Sequence, residues 1–276
     1  MENAAMPVKR VGLVGAGRMG LPMIGHLVRK GFDVLVCDTD PSTRAIAEEK
    51  GAKWAESAAE IARHAEVTLV CVGFDREVQD LVGDGGPLAG SRAGAVIAIL
   101  STIHPGTVKK LAEELAPRGV HVVDSTVCRG GWAADEGTLL SFVGGSAEVV
   151  ARLTPVLRAF SSDVVHTGAV GTAQVAKAAN NLILWACLVA NHEGLALAQR
   201  YGVDVEALRK ALLTSSASNT ALENWGRQTM AWAQDDMAIV MDMADECGIS
   251  LPQAGVVREI CRTLKPRRYK IEEYGK

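Results

Sequence analysis

Hydrophobic residues in the first part of the chain come in short, mostly apolar runs, at residues 11–14, 34–37, 67–72, 95–100, 120–124 and 139–143. None alternates cleanly with polar positions. That pattern belongs to strands buried on both faces, as in a parallel sheet covered by helices. Val164 and Val165 suggest a last, short strand. Between the runs the spacing turns helical, and helix starts are marked. Asp40 stands before Pro41 as an N-cap before a first-turn proline, and Ser57 with Glu60 has capping-box spacing. Strand and helix in alternation imply right-handed crossovers and an α/β fold of the doubly wound, Rossmann type.

Strand signals stop near residue 171. The segment from Gly171 to about Arg200 reads as one helix of roughly 45 Å. A helix that long suits an element that leaves one domain and forms the spine of another. Asp204 caps a further helix reaching Leu213, residues 221–244 and 253–264 read as amphipathic helices, and Pro252 begins the last of them. The expected organisation is a dinucleotide-type domain over residues 1–170 and an all-α domain over 171–276. Burying so long a spine in so small a helical domain predicts a partner subunit, hence a homodimer or homotetramer.

Composition narrows the classes. The 276 residues are 48% hydrophobic and 22% charged with a net charge of -3, a globular balance that argues against a nucleic-acid partner. The basic cluster of Lys265, Arg267, Arg268 and Lys270 is followed at once by Glu272 and Glu273, and reads as a solvated tail. Cys37, Cys71, Cys128, Cys187, Cys247 and Cys261 are widely spread with no CxxC pair, which fits reduced thiols rather than a disulfide frame or a metal site. The opening MENAAMPVKR lacks the basic-then-apolar order of a signal peptide, and the uninterrupted apolar run at 182–190 is too short to span a bilayer. A cytoplasmic protein away from membranes is expected.

The first apolar run leads directly into GAGRMG. Gly15, Gly17 and Gly20 have G-x-G-x-x-G spacing with a strand before and a helix after. The first glycine permits the tight turn, the second lets backbone approach a pyrophosphate, and the third lets helix and strand pack closely. Arg18 and Met19 lie between them. The anion then sits at a helix N-terminus, where N–H groups and the dipole favour it. The second run ends at Cys37-Asp38-Thr39-Asp40. Asp38 stands about 20 residues beyond the loop, where a carboxylate accepts from ribose hydroxyls and repels a 2′-phosphate. No arginine follows it. NAD is therefore expected over NADP.

The helix that opens GTAQVAKAANN poses a problem. Lys177, Asn180 and Asn181 stand near the start of an otherwise apolar segment, where a lysine needs a partner or a task. Residues three and four apart share one helical face, and Gln174 lies one turn earlier on it. Taken with GLVGAGRMGLPM, STIHPGT and DSTVCRGGWAADEGTL in that order, the segment resembles the β-hydroxyacid dehydrogenases, a group that includes 3-hydroxyisobutyrate dehydrogenase and tartronate semialdehyde reductase. The resemblance covers essentially the whole chain. It implies a Rossmann-type domain followed by an all-helical one, and hydride exchange between a nicotinamide cofactor and a 3-hydroxy acid or its semialdehyde. By position it implies that residues 12–20 hold the cofactor phosphates, Asp38 the ribose, and Thr102 the region near the nicotinamide. It further implies Lys177 as the catalytic lysine, Asn181 as substrate ligand, and Cys128, Arg129 and Gly130 in place of the family's Ser-Gly-Gly on the substrate carboxylate. The chemistry is consistent, because hydride transfer at a hydroxyl-bearing carbon needs one group to take or give the hydroxyl proton. Partial burial and a neighbouring cation bring a lysine into that range.

Two departures from the family pattern bear on the substrate. Arg129 stands where glycine is usual, and a guanidinium fork suits a carboxylate, so Arg129 is expected to clamp the acidic group of the substrate. Asp235, in AWAQDDM, falls where many relatives have a lysine that approaches the cofactor. A salt link to Arg129 would neutralise it. Trp225 and Trp232 either line an apolar pocket or pack in the core. Cys128 with His104 or His121 lacks any acyl-transfer motif. Relatives that reduce imines, and non-catalytic relatives, usually lack the lysine that this chain keeps.

Overall fold

A computed structural model describes residues 8–275. The absence of a signal peptide was read from residues that include 1–7, which lie outside the described residues. The chain divides into two compact units, residues 1–177 and 178–276.

In the first unit, β1 (Arg10–Val14), β2 (Asp33–Cys37), β3 (Lys53–Trp54), β4 (Val67–Val70), β5 (Val96–Ile99) and β6 (His121–Asp124) pair in parallel in the order β3-β2-β1-β4-β5-β6. That is the Rossmann order, with β1 at the switch point. The unbroken apolar runs follow from burial on both faces. Leu69, Val96 and Ala98 face one core with Met23, Leu27 and Phe160, while Val70, Ile97 and Ile99 face another with Ile61, Val78 and Leu111. The covering helices are α1 (Gly20–Arg29), α2 (Thr43–Glu49), α3 (Ala58–His64), α4 (Asp75–Val82), α5 (Pro105–Leu115), α6 (Gly130–Glu136) and α7 (Ala147–Leu157). Ser57 accepts from Glu60 N–H at the start of α3, and Glu60 accepts from Glu56 N–H in return. Asp40 acts earlier than expected: its carboxylate takes Ser42 N–H in a turn, and α2 begins only at Thr43.

Beyond β6 the sheet departs from the expected pattern. β7 (Val127–Cys128) and β8 (Leu139–Gly144) add antiparallel pairings, and β9 (Ser161–Gly168) runs parallel to β8. β3 and β7 have two residues each, too few to leave a periodic signal, while β9 contains the expected short strand at Val164 and Val165 and extends it to eight residues.

The spine is α8 (Thr172–Arg200), a continuous helix of 29 residues. The boundary between units falls inside it, after Lys177, rather than at residue 170. The reason is local: the first turns of α8 are hydrogen-bonded to the strand ends of the Rossmann unit. In the helical unit, α8 is followed by α9 (Val205–Leu212), α10 (Thr220–Glu223), α11 (Ala233–Cys247) and α12 (Pro252–Leu264). Asp204 caps α9 by accepting Ala207 N–H. The helix expected over 221–244 is broken between α10 and α11, where Gly226 and Met230 take positive φ. By length and composition alone α8 would suit a membrane span. Part of its apolar surface is core: Trp185, Leu188 and Val189 pack with Met237, Val240 and Val257, while Ile183 and Leu197 are exposed. The C-terminal segment is packed rather than a solvated tail. Ile271 is buried, Tyr269 N–H donates to His192 Nε2, and Tyr274 hydroxyl donates to Glu193.

Candidate active site

The glycine loop lies at the C-terminal end of β1. Gly15 has φ of 99°, and a Cβ there would stand 2.2 Å from the Cys71 carbonyl oxygen. A Cβ on Gly20 would strike the Gly15 carbonyl at 2.1 Å. Both positions demand glycine for close approach. Gly17 differs: it is exposed, and a Cβ there would meet nothing within 4 Å. Its glycine keeps open space open. α1 starts without a side-chain cap and without an acid in its first turn, so its N-terminal N–H groups suit an anion. Asp38, at the end of β2, is oriented by two backbone donors, Ala16 N–H at 2.5 Å and Asp40 N–H at 2.8 Å. A dinucleotide fits these residues, with phosphates at the loop and ribose at Asp38. Met19 is half-buried against the core, and Thr102 is half-buried beyond β5.

Arg18 reaches away from the loop. Its guanidinium makes two hydrogen bonds to Asp135 on α6, at 2.8 and 2.6 Å, and stands where a Cβ on Gly131 would be. This ion pair, which the sequence did not reveal, ties the glycine loop to the segment that follows β7. Asp135 holds the Arg18 guanidinium above its usual range, and Arg18 in turn lowers the Asp135 carboxyl.

A network at the end of β6 sets the position of Lys177. Asp124 is fully buried and accepts Gly171 N–H at 2.7 Å and Gln174 N–H at 2.9 Å. Burial pushes its carboxyl up, and the backbone N–H donors pull it back. The close approach explains Gly144, whose Cβ would lie 2.5 Å from the Asp124 carboxylate. The Thr126 hydroxyl donates to the Ala173 carbonyl at 3.0 Å. Gln174, also buried, donates to the Ser101 carbonyl and accepts Ile103 N–H, which fixes the backbone on both sides of Thr102. On this platform the half-buried Lys177 donates to the Val127 carbonyl at 2.8 Å, with Cys128 Sγ at 4.0 Å. Lys177 thus meets the segment that the resemblance assigns to the substrate carboxylate. The sequence marked Lys177 and Gln174 but missed the anchoring roles of Asp124 and Thr126. An acid at the C-terminal end of a central strand was the available signal.

Arg129, expected to clamp the substrate, is held by the protein itself. The Arg129 guanidinium donates to the Thr138 carbonyl at 2.9 Å and the Ser162 hydroxyl at 2.7 Å, and pairs with Asp163 at 2.8 Å. The acid it holds is Asp163 rather than Asp235, and all three contacts are made through one terminal nitrogen, Nη1. Gly130 is exposed beside it.

In the helical unit, Asn181 is buried and accepts from Asn180 Nδ2 at 3.0 Å. Asp235 is exposed in the first turn of α11, whereas the next residue, Asp236, accepts the Trp185 indole N–H at 3.0 Å. Trp225 is a packing aromatic, with its ring 4.6 Å from that of His192 and 5.0 Å from that of Tyr269. The histidines weighed against Cys128 have other settings. His104 Nδ1 caps α5 by accepting Gly106 N–H, and His121 begins β6, at the opposite edge of the sheet from Cys128.

Fold and site define a nicotinamide-dependent oxidoreductase built on a Rossmann unit. Comparison with known proteins gives the family: the chain belongs to the β-hydroxyacid dehydrogenases and uses NAD. A model of the NAD binding domain of 6-phosphogluconate dehydrogenase matches residues 10–168, and one of the NAD-binding region of NADP-dependent 3-hydroxyisobutyrate dehydrogenase matches residues 171–273. The chain is 36% identical over 213 residues to a 3-hydroxyisobutyrate dehydrogenase of Pseudomonas aeruginosa, covering 77% of this chain and 72% of that one. It is 31% identical over 217 residues to an NAD-dependent L-serine dehydrogenase of the same organism, covering 78% and 73%. Among solved structures, a 3-hydroxyisobutyrate dehydrogenase of Mycobacterium tuberculosis with L-serine superposes with a TM-score of 0.85 over 95% of both chains, at 23% identity.

Proposed function

We propose that this protein exchanges a hydride between NAD(H) and a small 3-hydroxy acid or its semialdehyde, with Lys177 as the general acid/base. NAD, when bound, supplies the hydride acceptor or donor. The protein supplies a proton relay and an anion site. The observation that carries the reading is Lys177 itself, a half-buried ammonium held to the Val127 carbonyl beside Cys128, on a helix start pinned by Asp124 and Gln174. As the neutral amine such a group takes the proton of a hydroxyl as the carbonyl forms, and the resulting ammonium returns it in reverse. Main chain around Cys128 and Gly130 is assigned to the substrate's acidic group. Asp38 favours NAD because its carboxylate is oriented and repels a 2′-phosphate. The relatives' names, for 3-hydroxyisobutyrate and for L-serine, support a short acid with its hydroxyl on the third carbon.

We also place the protein in the cytoplasm as a homodimer or homotetramer. Exposed Ile183 and Leu197 on the spine support a subunit contact.

The test is Lys177→Ala assayed on a panel of 3-hydroxy acids by NADH absorbance. Turnover is expected to fall to background while NAD affinity, read by NADH fluorescence, stays within a few-fold. Retained turnover would remove Lys177 from the mechanism.

A further inference from the structure

Arg129 has φ of 84°, a left-handed conformation that a non-glycine residue rarely holds, and Gly130 follows it with φ of 78°. These two residues turn the chain from β7 into α6, beside the Lys177 site. A bulky residue stays left-handed only where its surroundings over-determine it. Here the surroundings are its own side chain. The guanidinium is fastened to the Thr138 carbonyl at the start of β8, and to the Ser162 hydroxyl and Asp163 carboxylate on β9. Ser162 in turn donates to Asp163 at 2.8 Å. On the near side of the turn, Val127 and Cys128 pair with Ser141 and Leu140 of β8, and the Val127 carbonyl takes the Lys177 ammonium. The Arg129 side chain thus ties the far side of the turn to Thr138 and to β9, while the residues just before it pair with β8.

We propose that Arg129 is a positioning residue: its ties to Thr138, Ser162 and Asp163 hold the 127–130 turn in the left-handed form that presents the Val127 carbonyl to Lys177. The inference rests on the reading of Lys177 as the acid/base. A residue that contacted the substrate would act through its charge. A positioning residue acts through backbone conformation, so glycine and alanine at the same place separate the two. Glycine adopts the left-handed form without strain and needs no ties. Alanine keeps the strain and loses the ties.

The experiment compares R129A, R129G and D163N with the unmodified enzyme. It measures kcat and KM for the best 3-hydroxy acid, and the rate at which iodoacetamide alkylates the buried Cys128 in the native protein, followed by peptide mass spectrometry. R129A is expected to lower kcat on the order of tenfold and to speed Cys128 alkylation similarly, the population shift set by the left-handed penalty. D163N is expected to move both readouts in the same direction by less. R129G is expected to recover several-fold over R129A in both, although it lacks any side chain to meet a substrate. Equal impairment of the alanine and glycine variants through KM alone, with Cys128 still protected, would overturn the proposal and return Arg129 to the substrate. So would R129A indistinguishable from the unmodified enzyme in both readouts. The alkylation series needs no turnover. If it holds while no hydroxy acid reacts, the proposed reaction fails and the positioning role stands.

Discussion

Replacing Asp124 by alanine removes a fully buried carboxylate that accepts Gly171 N–H at 2.7 Å and Gln174 N–H at 2.9 Å. Both donors remain buried and lose their acceptor. Each unsatisfied buried group costs about 1–3 kcal/mol, so the variant should lose about 2–6 kcal/mol. In a unit of this size each kcal/mol lowers the melting temperature by roughly 2–4 °C, which predicts a fall of about 4–24 °C. Asparagine keeps one acceptor oxygen and turns its amide toward the other donor, so it should lose roughly half as much. The functional effect follows from the same geometry. Asp124 holds the first turn of the helix that carries Lys177, and a frayed turn no longer keeps the ammonium on the Val127 carbonyl. Scanning calorimetry paired with steady-state kinetics reads both effects: stability should fall and kcat should fall with it, well below the new melting temperature, while NAD affinity changes little. A stability loss under about 1 kcal/mol for alanine would refute the accounting of buried donors. Lowered stability with unaltered kcat would refute the coupling to Lys177.

Other outcomes follow from the glycine loop and the helical unit. Gly17→Ala places a methyl in open space and should leave the melting temperature within a degree or two while weakening NAD binding at least about tenfold, because the backbone approach to the pyrophosphate is lost. Gly15→Ala, by contrast, drives a Cβ into the Cys71 carbonyl and should destabilise the Rossmann unit itself, as thermal unfolding without cofactor would show. His192 is fully buried, gives its Nδ1 hydrogen to the Leu188 carbonyl and accepts Tyr269 N–H on Nε2, and burial holds its pKa below the usual value. The unfolded chain takes up a proton below about pH 6.5 that the folded unit refuses, so stability is intact above that pH and falls below it, by up to about 1.4 kcal/mol per pH unit. Urea unfolding at pH 7.5, 6.5 and 5.5 followed by Trp225 fluorescence checks the sign, and a flat profile would show that His192 charges freely in the folded state.

Residue order alone determined much of this protein. Apolar runs flanked by glycine and capped helices announced the central strands, since a strand buried on both faces must be apolar throughout. GAGRMG and Asp38 announced the dinucleotide site because tight turns and ribose hydroxyls admit few residue types. Lys177 stood out because a charge on an apolar helix demands a reason. Tertiary structure decided what depends on partners distant in the chain. The strand at 127–128 has too few residues to show a period, and the one at 161–168 runs well beyond its Val164-Val165 signal; β8 lies between them and pairs with both. Trp225 became core once His192 and Tyr269 were folded against it. Arg129 shows the division most clearly. Its charge, read in sequence, pointed to an acidic substrate, and its residue type gave no hint of a left-handed backbone. Asp163, more than thirty residues later on an outer strand, takes that charge instead. Composition states which forces a side chain can exert, and only the packed chain states on what they are exerted.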